Sequence, residues 1–313
     1  MKLAKFSPPV GEARVGLVMG EHVLDLRDAF EALYGTPAPP IFEELQLFIE
    51  EGERALRLAR LVEEQVLEEL SGGELEGELR GIVRRLAEVR LHLPVPRPEK
   101  ILCAAVNYYS HAGEMNVKPP QRPYLFAKYP NSLVGPGEPV VIPRNSEKPD
   151  HEVELAVVIG KAGKYISEAK AYEHVFGYAV FNDVSLRDKQ FPGAELQRFG
   201  LRWVQAKSFD TGAPFGPYIV TRDEIEDPHN LRLQLLVNGE VRQDGSTSDM
   251  IFKVHELIAE ASDGLTLKPG DIISTGTPSG VGASSGKFLR HGDVMEARVE
   301  RIGVLVNPVV LEA

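Results

Sequence analysis

Apolar and polar positions alternate in short runs at the start of the chain, and Lys2–Phe6, Arg14–Met19 and His22–Leu26 are predicted as strands. Gly20-Glu21, between the last two, has the length and glycine content of a tight hairpin loop. After Pro37-Ala-Pro-Pro40 the period lengthens to three and four. Leu45, Phe48, Ile49, Leu58, Leu61, Val62, Val66 and Leu70 predict helix until Ser71-Gly-Gly73 stops it, and a further amphipathic helix is expected over about Leu79–Val89. Pro94-Val-Pro-Arg-Pro98 reads as a stiff extended connector. It divides an accessory segment, residues 1–95, from a second domain, residues 96–313.

Beyond the connector strand patterns dominate. They cover Ile101–Val106, Tyr124–Lys128, Pro139–Ile142, Val153–Ile159, Gly177–Asn182, Tyr218–Thr221, Leu231–Val237, Asp271–Thr275, Asp293–Val299 and Gly303–Val306. Turn dipeptides such as Asn238-Gly239 and Pro269-Gly270 separate them. Only Ser167–Phe176 and Ser248–Ser262 have helical spacing there. So many strands with so few crossover helices exclude a doubly wound sheet and predict an α+β protein whose larger part is a β-rich roll or barrel.

Composition narrows the classes. The chain of 313 residues has a formal net charge of −11, most of it within residues 1–95, and a pI near 5.3. That balance argues against a nucleic-acid binder, whose phosphate affinity needs clustered Lys and Arg. The charged helices of residues 1–95 are read as a solvated face. No apolar run is long enough for a spanning helix, and the start lacks the apolar core of a secretory signal, so a cytoplasmic protein without membrane contact is expected. The single Cys103 excludes an internal disulfide; within its apolar run it is expected to be packing rather than a nucleophile.

Three familiar motifs fail. Counting back from Gly286-Lys287, a phosphate loop needs Gly where Val281 stands and Ser or Thr where Phe288 stands. Ser279 lacks the Gly two residues before it that a nucleophile elbow requires, and the chain contains no His-Glu-x-x-His.

The informative segment is Asp150-His-Glu-Val-Glu-Leu-Ala-Val-Val-Ile-Gly160. On a strand Glu152 and Glu154 share a face, about 6.5–7 Å apart. Val153, Leu155, Val157 and Ile159 take the other face, while Ala156 and Val158 continue the glutamate face. Both faces are therefore apolar beyond Glu154. Buried carboxylates are costly unless a cation or donors compensate them. Tyr178-Ala-Val-Phe-Asn-Asp183 is a second apolar strand that ends in acid. Glu152, Glu154 and Asp183 would give three hard oxygen ligands with open positions left over. That set suits Mg²⁺ or Mn²⁺, admits Ca²⁺ and suits Zn²⁺ poorly. His151 should face away from Glu152.

At these residues the sequence resembles the fumarylacetoacetate hydrolase family over about residues 99–310. Asn107-Tyr-Tyr-Ser-His-Ala-Gly-Glu-Met115, Leu133-Val-Gly-Pro-Gly137 and Glu152-Val-Glu154-Leu-Ala-Val-Val-Ile-Gly stand in the family's order. Asn182-Asp-Val-Ser-x-Arg-Asp-x-Gln190, Lys207-Ser-Phe-Asp210 and Gly216-Pro follow. Val237-Asn-Gly-Glu-x-Arg-Gln243, Asp249-Met-Ile-Phe252, Pro269-Gly-Asp271-x-Ile and Thr275-Gly-Thr-Pro-x-Gly-Val-Gly282 complete the series. The opening strands are more loosely similar to the amino-terminal domain of bacterial isomerases, decarboxylases and tautomerases of hydroxy-dienoates and oxo acids.

The resemblance implies a mixed-sheet β-roll catalytic domain, usually homodimeric, with a divalent cation on Glu152, Glu154 and Asp183. It also implies a small 2-oxo acid or hydroxy-dienoate substrate, whose enolate the metal stabilises. By the same resemblance Lys207, Arg187 and Lys128 would supply fixed positive charge, and Gln190 and Thr277 neutral hydrogen bonds to substrate oxygens. His111 and Glu114, three apart, would form a water-activating pair on a lid. Trp203, in the stretch Pro192–Gln205, belongs to specificity or to packing. Hydrolysis, decarboxylation and isomerisation all remain open. The alternative is a non-catalytic binding module in which the carboxylates hold a structural cation.

Overall fold

The strand Val153–Ile159 is central to the molecule, and both of its faces are covered. Val153, Leu155, Val157 and Ile159 enter one core, and Ala156 and Val158 enter another, as its period-two pattern requires. The computed structural model describes residues 1–72, 81–191 and 200–313. Val153–Ile159 lies in a 12-stranded mixed sheet between Val175–Asn182, antiparallel to it, and Ile272–Ser274. Ile272–Ser274 pairs in parallel with Ile101–Ala104, which is followed at the edge by Leu125–Lys128. A 5-stranded sheet built from Glu240–Ser246, Arg232–Val237, Val294–Val299, Gly303–Leu311 and Val140–Ile142 lines the far side of the first core. The fold is α+β with large mixed sheets.

The amino-terminal strands join the same sheet: Lys2–Ser7 pairs antiparallel with Ala213–Thr221. The Gly20-Glu21 hairpin forms as expected, with Met19 opposite His22. The helices Leu45–Glu51 and Glu53–Gly72 cover the Ala156 face; Phe48 meets Phe176 edge-on at 6.3 Å. Between them Gly52 takes a φ of 51° and divides the expected single helix in two.

Local differences from the sequence reading have identifiable causes. Residues 79 and 80 of the helix expected over Leu79–Val89 lie outside the described residues. Val83–Arg85 is instead a strand hydrogen-bonded to His22–Asp25, and Leu86–Glu88 a 3₁₀ turn, because the hairpin's free edge recruits this backbone. Ser167–Phe176 is a 3₁₀ helix only over Glu168–His174, and Val175 and Phe176 already belong to the next strand. The helix expected from Ser248 begins at Val254. Before it, the backbone N–H and C=O of Phe252 both bond the Asn107 side chain, at 2.8 and 3.0 Å, and so are withdrawn from helix formation. Leu26, expected as the end of a strand, instead opens a helix, Leu26–Tyr34, capped by Asp25. Among the described residues no helix is long and apolar enough to cross a membrane.

Candidate metal centre

Two strand ends place the carboxylates, the start of Val153–Ile159 and the end of Val175–Asn182. Val153 pairs with Asn182, so Asp183 emerges opposite Glu152, and the Asp183 N–H donates to the Glu152 carbonyl at 2.9 Å. Glu152 is held by its own N–H, which donates to Asn182 Oδ1 at 2.9 Å. One oxygen from each of Glu152, Glu154 and Asp183 lies within 4.8 Å of the others, and all three residues are buried. They face a cavity of about 60 Å³ lined also by His111, Arg187, Gln190, Lys207, Thr277, Phe126 and Trp203.

The cations expected to greet substrate are paired with these acids. Lys207 Nζ lies 2.6 Å from both Glu152 Oε2 and Asp183 Oδ2. Lys128 Nζ donates to Asp183 Oδ1 at 2.8 Å. Arg187 spans Asp150 at 2.8 Å, Gln190 at 3.0 Å and Glu152 through Nη2. Burial alone would raise the Glu152 carboxyl, but Arg187 and Lys207 outweigh it and hold that group below the usual range. Burial likewise opposes the charged form of Lys207, and Asp183 and Glu152 more than restore it, so its pKa lies above that of an ordinary lysine.

Glu154 is different. Its carboxylate accepts from Ser274 Oγ at 2.5 Å and from the Gly276 N–H at 2.8 Å. Burial, with Asp183 and Glu152 beside it, pushes its pKa well above the carboxylate range. A buried acid held beside two others by neutral donors alone is a group that a cation would stabilise. Hard oxygen donors with that deficit of positive charge fit a divalent ion such as Mg²⁺ or Mn²⁺.

A short helix, Tyr109–Glu114, brings His111 to the wall of the cavity. His111 Nδ1 faces Glu114 Oε2 at 3.4 Å, while Glu114 Oε1 accepts from the Gly280 N–H at 2.8 Å and Ser284 Oγ at 2.6 Å. Burial would raise the Glu114 carboxyl, yet these donors bring it below its ordinary value. Asn107 anchors the chain that leads into this helix. Besides Phe252, its side chain reaches the Thr275 carbonyl at 2.8 Å, and Asp249 accepts the Ser110 N–H at 2.9 Å.

All ten residues singled out in the sequence therefore gather here. Lys128 and Glu114 touch other members of the group without lining the cavity themselves. Trp203 stacks on Phe126 with centroids 4.3 Å apart and an 8° interplanar angle, and Lys207 Nζ lies 5.1 Å from the Phe126 ring. Residues 192–199 of the stretch before it lie outside the described residues. Cys103 is buried, and burial, with Asp183 and Glu154 nearby, pushes its thiol well up, away from nucleophilic use. The sequence reading missed Asp150 as the anchor of Arg187, Asn107 and Asp249 as anchors of the helix that carries His111, and Gln243. Asp150 carried a signal, since it precedes Glu152 by two and so falls on the same side of the chain.

Comparison with known proteins agrees with this geometry. The family model described as fumarylacetoacetate (FAA) hydrolase, C-terminal, matches residues 100–310. The chain is 43% identical over 274 residues to oxaloacetate tautomerase FAHD2A, mitochondrial, of Homo sapiens, covering 87% of this chain and 81% of that protein. Among solved structures, fumarylacetoacetate hydrolase from psychrophilic Exiguobacterium antarcticum superposes with a TM-score of 0.75 at 34% identity, with full coverage of both chains. Maleylpyruvate hydrolase from Sphingobium sp. SYK-6, in complex with manganese(II) ion and pyruvate, gives a TM-score of 0.72 at 32% identity, again over 100% of each chain.

Proposed function

The chain belongs to the fumarylacetoacetate hydrolase family, and on that premise we propose that it is a divalent-metal-dependent tautomerase of short 2-oxo acids such as oxaloacetate. The observation that carries this reading is the cluster Glu152, Glu154 and Asp183, with Glu154 short of a compensating charge. These three residues would hold Mg²⁺ or Mn²⁺. A bound divalent ion supplies Lewis-acid charge that favours the enolate form of a 2-oxo acid.

The protein's own groups do the rest. Tautomerisation moves one proton between C3 and the C2 oxygen and consumes no water. His111 is suited to carry it: with Nδ1 turned to Glu114, the proton on that side is fixed and Nε2 is left to exchange one. Lys207 and Arg187 hold Glu152 in its charged form, and with Lys128 they oppose the charge of an anionic substrate. Gln190 accepts from Arg187 through Oε1, which leaves its Nε2 as a donor.

A second reading, C–C bond hydrolysis of a short acylpyruvate, is favoured by the His111–Glu114 pair, which could equally activate water, and by the likeness to a maleylpyruvate hydrolase. NMR product analysis on a panel of oxaloacetate, acylpyruvates and hydroxy-dienoates with Mn²⁺ or Mg²⁺ separates the two. Faster enol–keto exchange of oxaloacetate without loss of carbon supports the tautomerase; faster cleavage of acylpyruvates with no effect on that exchange overturns it.

A further inference from the structure

We propose that Gln243 is a positioning residue that makes Thr277 a hydrogen-bond acceptor toward the cavity, so that this wall reads the hydroxyl of an enol and not a carbonyl oxygen. The proposal deepens the oxo-acid reading and rests on it.

The orientation of each group follows from its partners. The Val153 N–H can only donate, and it points at Gln243 Oε1 at 3.0 Å, which fixes the side-chain amide. Gln243 Nε2 then donates to Thr277 Oγ1 at 2.8 Å and to the Pro278 carbonyl at 2.9 Å, using both of its hydrogens. The Val153 carbonyl can only accept, and Thr277 Oγ1 lies 2.9 Å from it. The single hydroxyl hydrogen of Thr277 is thus committed to Val153, and one lone pair to Gln243. What remains for the cavity is one lone pair.

This network is built into the backbone. Gln243 sits on the strand Glu240–Ser246, which approaches the Thr277-Pro278 turn so closely that a Cβ on Gly245 would stand 2.5 Å from Pro278 Cβ. A Cβ on Gly280 would stand close enough to the Arg242 carbonyl to force the two chains apart. Gln243 and Thr277 are 1% and 3% exposed, so water does not compete for these bonds. The same glutamine holds the N–H between Glu152 and Glu154, and so ties the metal strand to the substrate wall.

The enol of a 2-oxo acid carries an O–H at C2, and its keto form carries none. An acceptor-only wall therefore bonds the enol and faces a keto oxygen with lone pair against lone pair. Conversion to the keto product breaks the bond and favours release.

Calorimetric titration of the Mn²⁺-loaded protein with pyruvate and with the better-bound lactate enantiomer tests this, since the two have the same length and charge but differ at the C2 oxygen. Thr277→Val should weaken lactate about three- to tenfold and pyruvate less than about twofold, with Mn²⁺ affinity unchanged; Thr277→Ser should keep the wild-type ratio. Gln243→Met removes the donor that fixes the Thr277 hydroxyl, which can then rotate off the Val153 carbonyl, so the preference for lactate over pyruvate should shrink. If Thr277→Val weakens pyruvate as much as lactate, the inference is overturned while the oxo-acid reading stands. If the loaded wild-type protein binds neither acid, both fall.

Discussion

Lys207 Nζ and Glu152 Oε2 lie 2.6 Å apart, both buried, with Asp183 Oδ2 at the same distance from the ammonium. The ammonium thus engages oxygens that a divalent ion would also use. Lys207→Met should therefore bind Mn²⁺ at least as tightly as wild type, while turnover falls by about 10²–10³ through the lost donor. Paired calorimetry and initial rates read both effects. Weaker Mn²⁺ binding would show that the lysine supports the ion instead of competing with it.

Glu152 and Glu154 should respond oppositely to amidation. Glu154 has a raised folded-state pKa, so its burden on the apo fold is small near the ordinary carboxylate value and grows as pH rises toward the folded one. Glu154→Gln should melt at or above wild type in apo form at pH 8, with the gap closing as pH falls toward 4.5. Glu152→Gln leaves Arg187 and Lys207 short of a buried partner and should cost about 3–5 kcal/mol. Equal losses in both variants would contradict this division.

Much of this was legible in sequence, for a physical reason. The alternation around Glu152 and Glu154 is a strand of period two with acids at one end, and the two cores divide its residues as that period demands. The second core also recruits the amino-terminal helices, beneath one sheet that continues past Pro94–Pro98. The strand Glu240–Ser246 was missed because Arg242, Asp244 and Ser246 give it no apolar face; only its pairing with Arg232–Val237 makes it a strand. The break before Val254 was equally hidden, since it depends on a side chain, Asn107, that lies 145 residues away. The cations were found by position, but that they pair with the acids follows from the cost of burying charge together.

Glu114→Gln should reverse the His111 tautomer. The new amide can still accept from Gly280 and Ser284, but it presents N–H groups to Nδ1 and moves the imidazole proton to Nε2. Turnover should fall about 10²–10⁴-fold, with KM little changed and the imidazole ¹⁵N shifts exchanged. An unaltered kcat would remove His111 from the proton path.

Asp25 makes a separate pH prediction. Burial, and Asp28 beside it, raise its carboxyl from 3.8 to about 6, even though it caps Leu26–Tyr34 and faces Arg14 at 3.3 Å. The folded state therefore holds a proton that the unfolded state gives up, and stability falls as pH rises from about 4 to 6, by on the order of 2–3 kcal/mol. Asp25→Asn keeps the cap and should flatten that slope in denaturant titrations. Parallel slopes in the two proteins would refute the assignment.

The central claim is that Glu152, Glu154 and Asp183 hold the divalent ion on which turnover depends. The most direct measurement titrates metal-stripped protein with Mn²⁺, reading bound ion by electron paramagnetic resonance and enol loss from oxaloacetate in the same samples. One ion bound per chain is expected, with the rate rising in proportion and both signals lost in Glu154→Gln. A metal-stripped protein that turns over at the full rate, or a Glu154→Gln variant that binds the ion as wild type does, would contradict it.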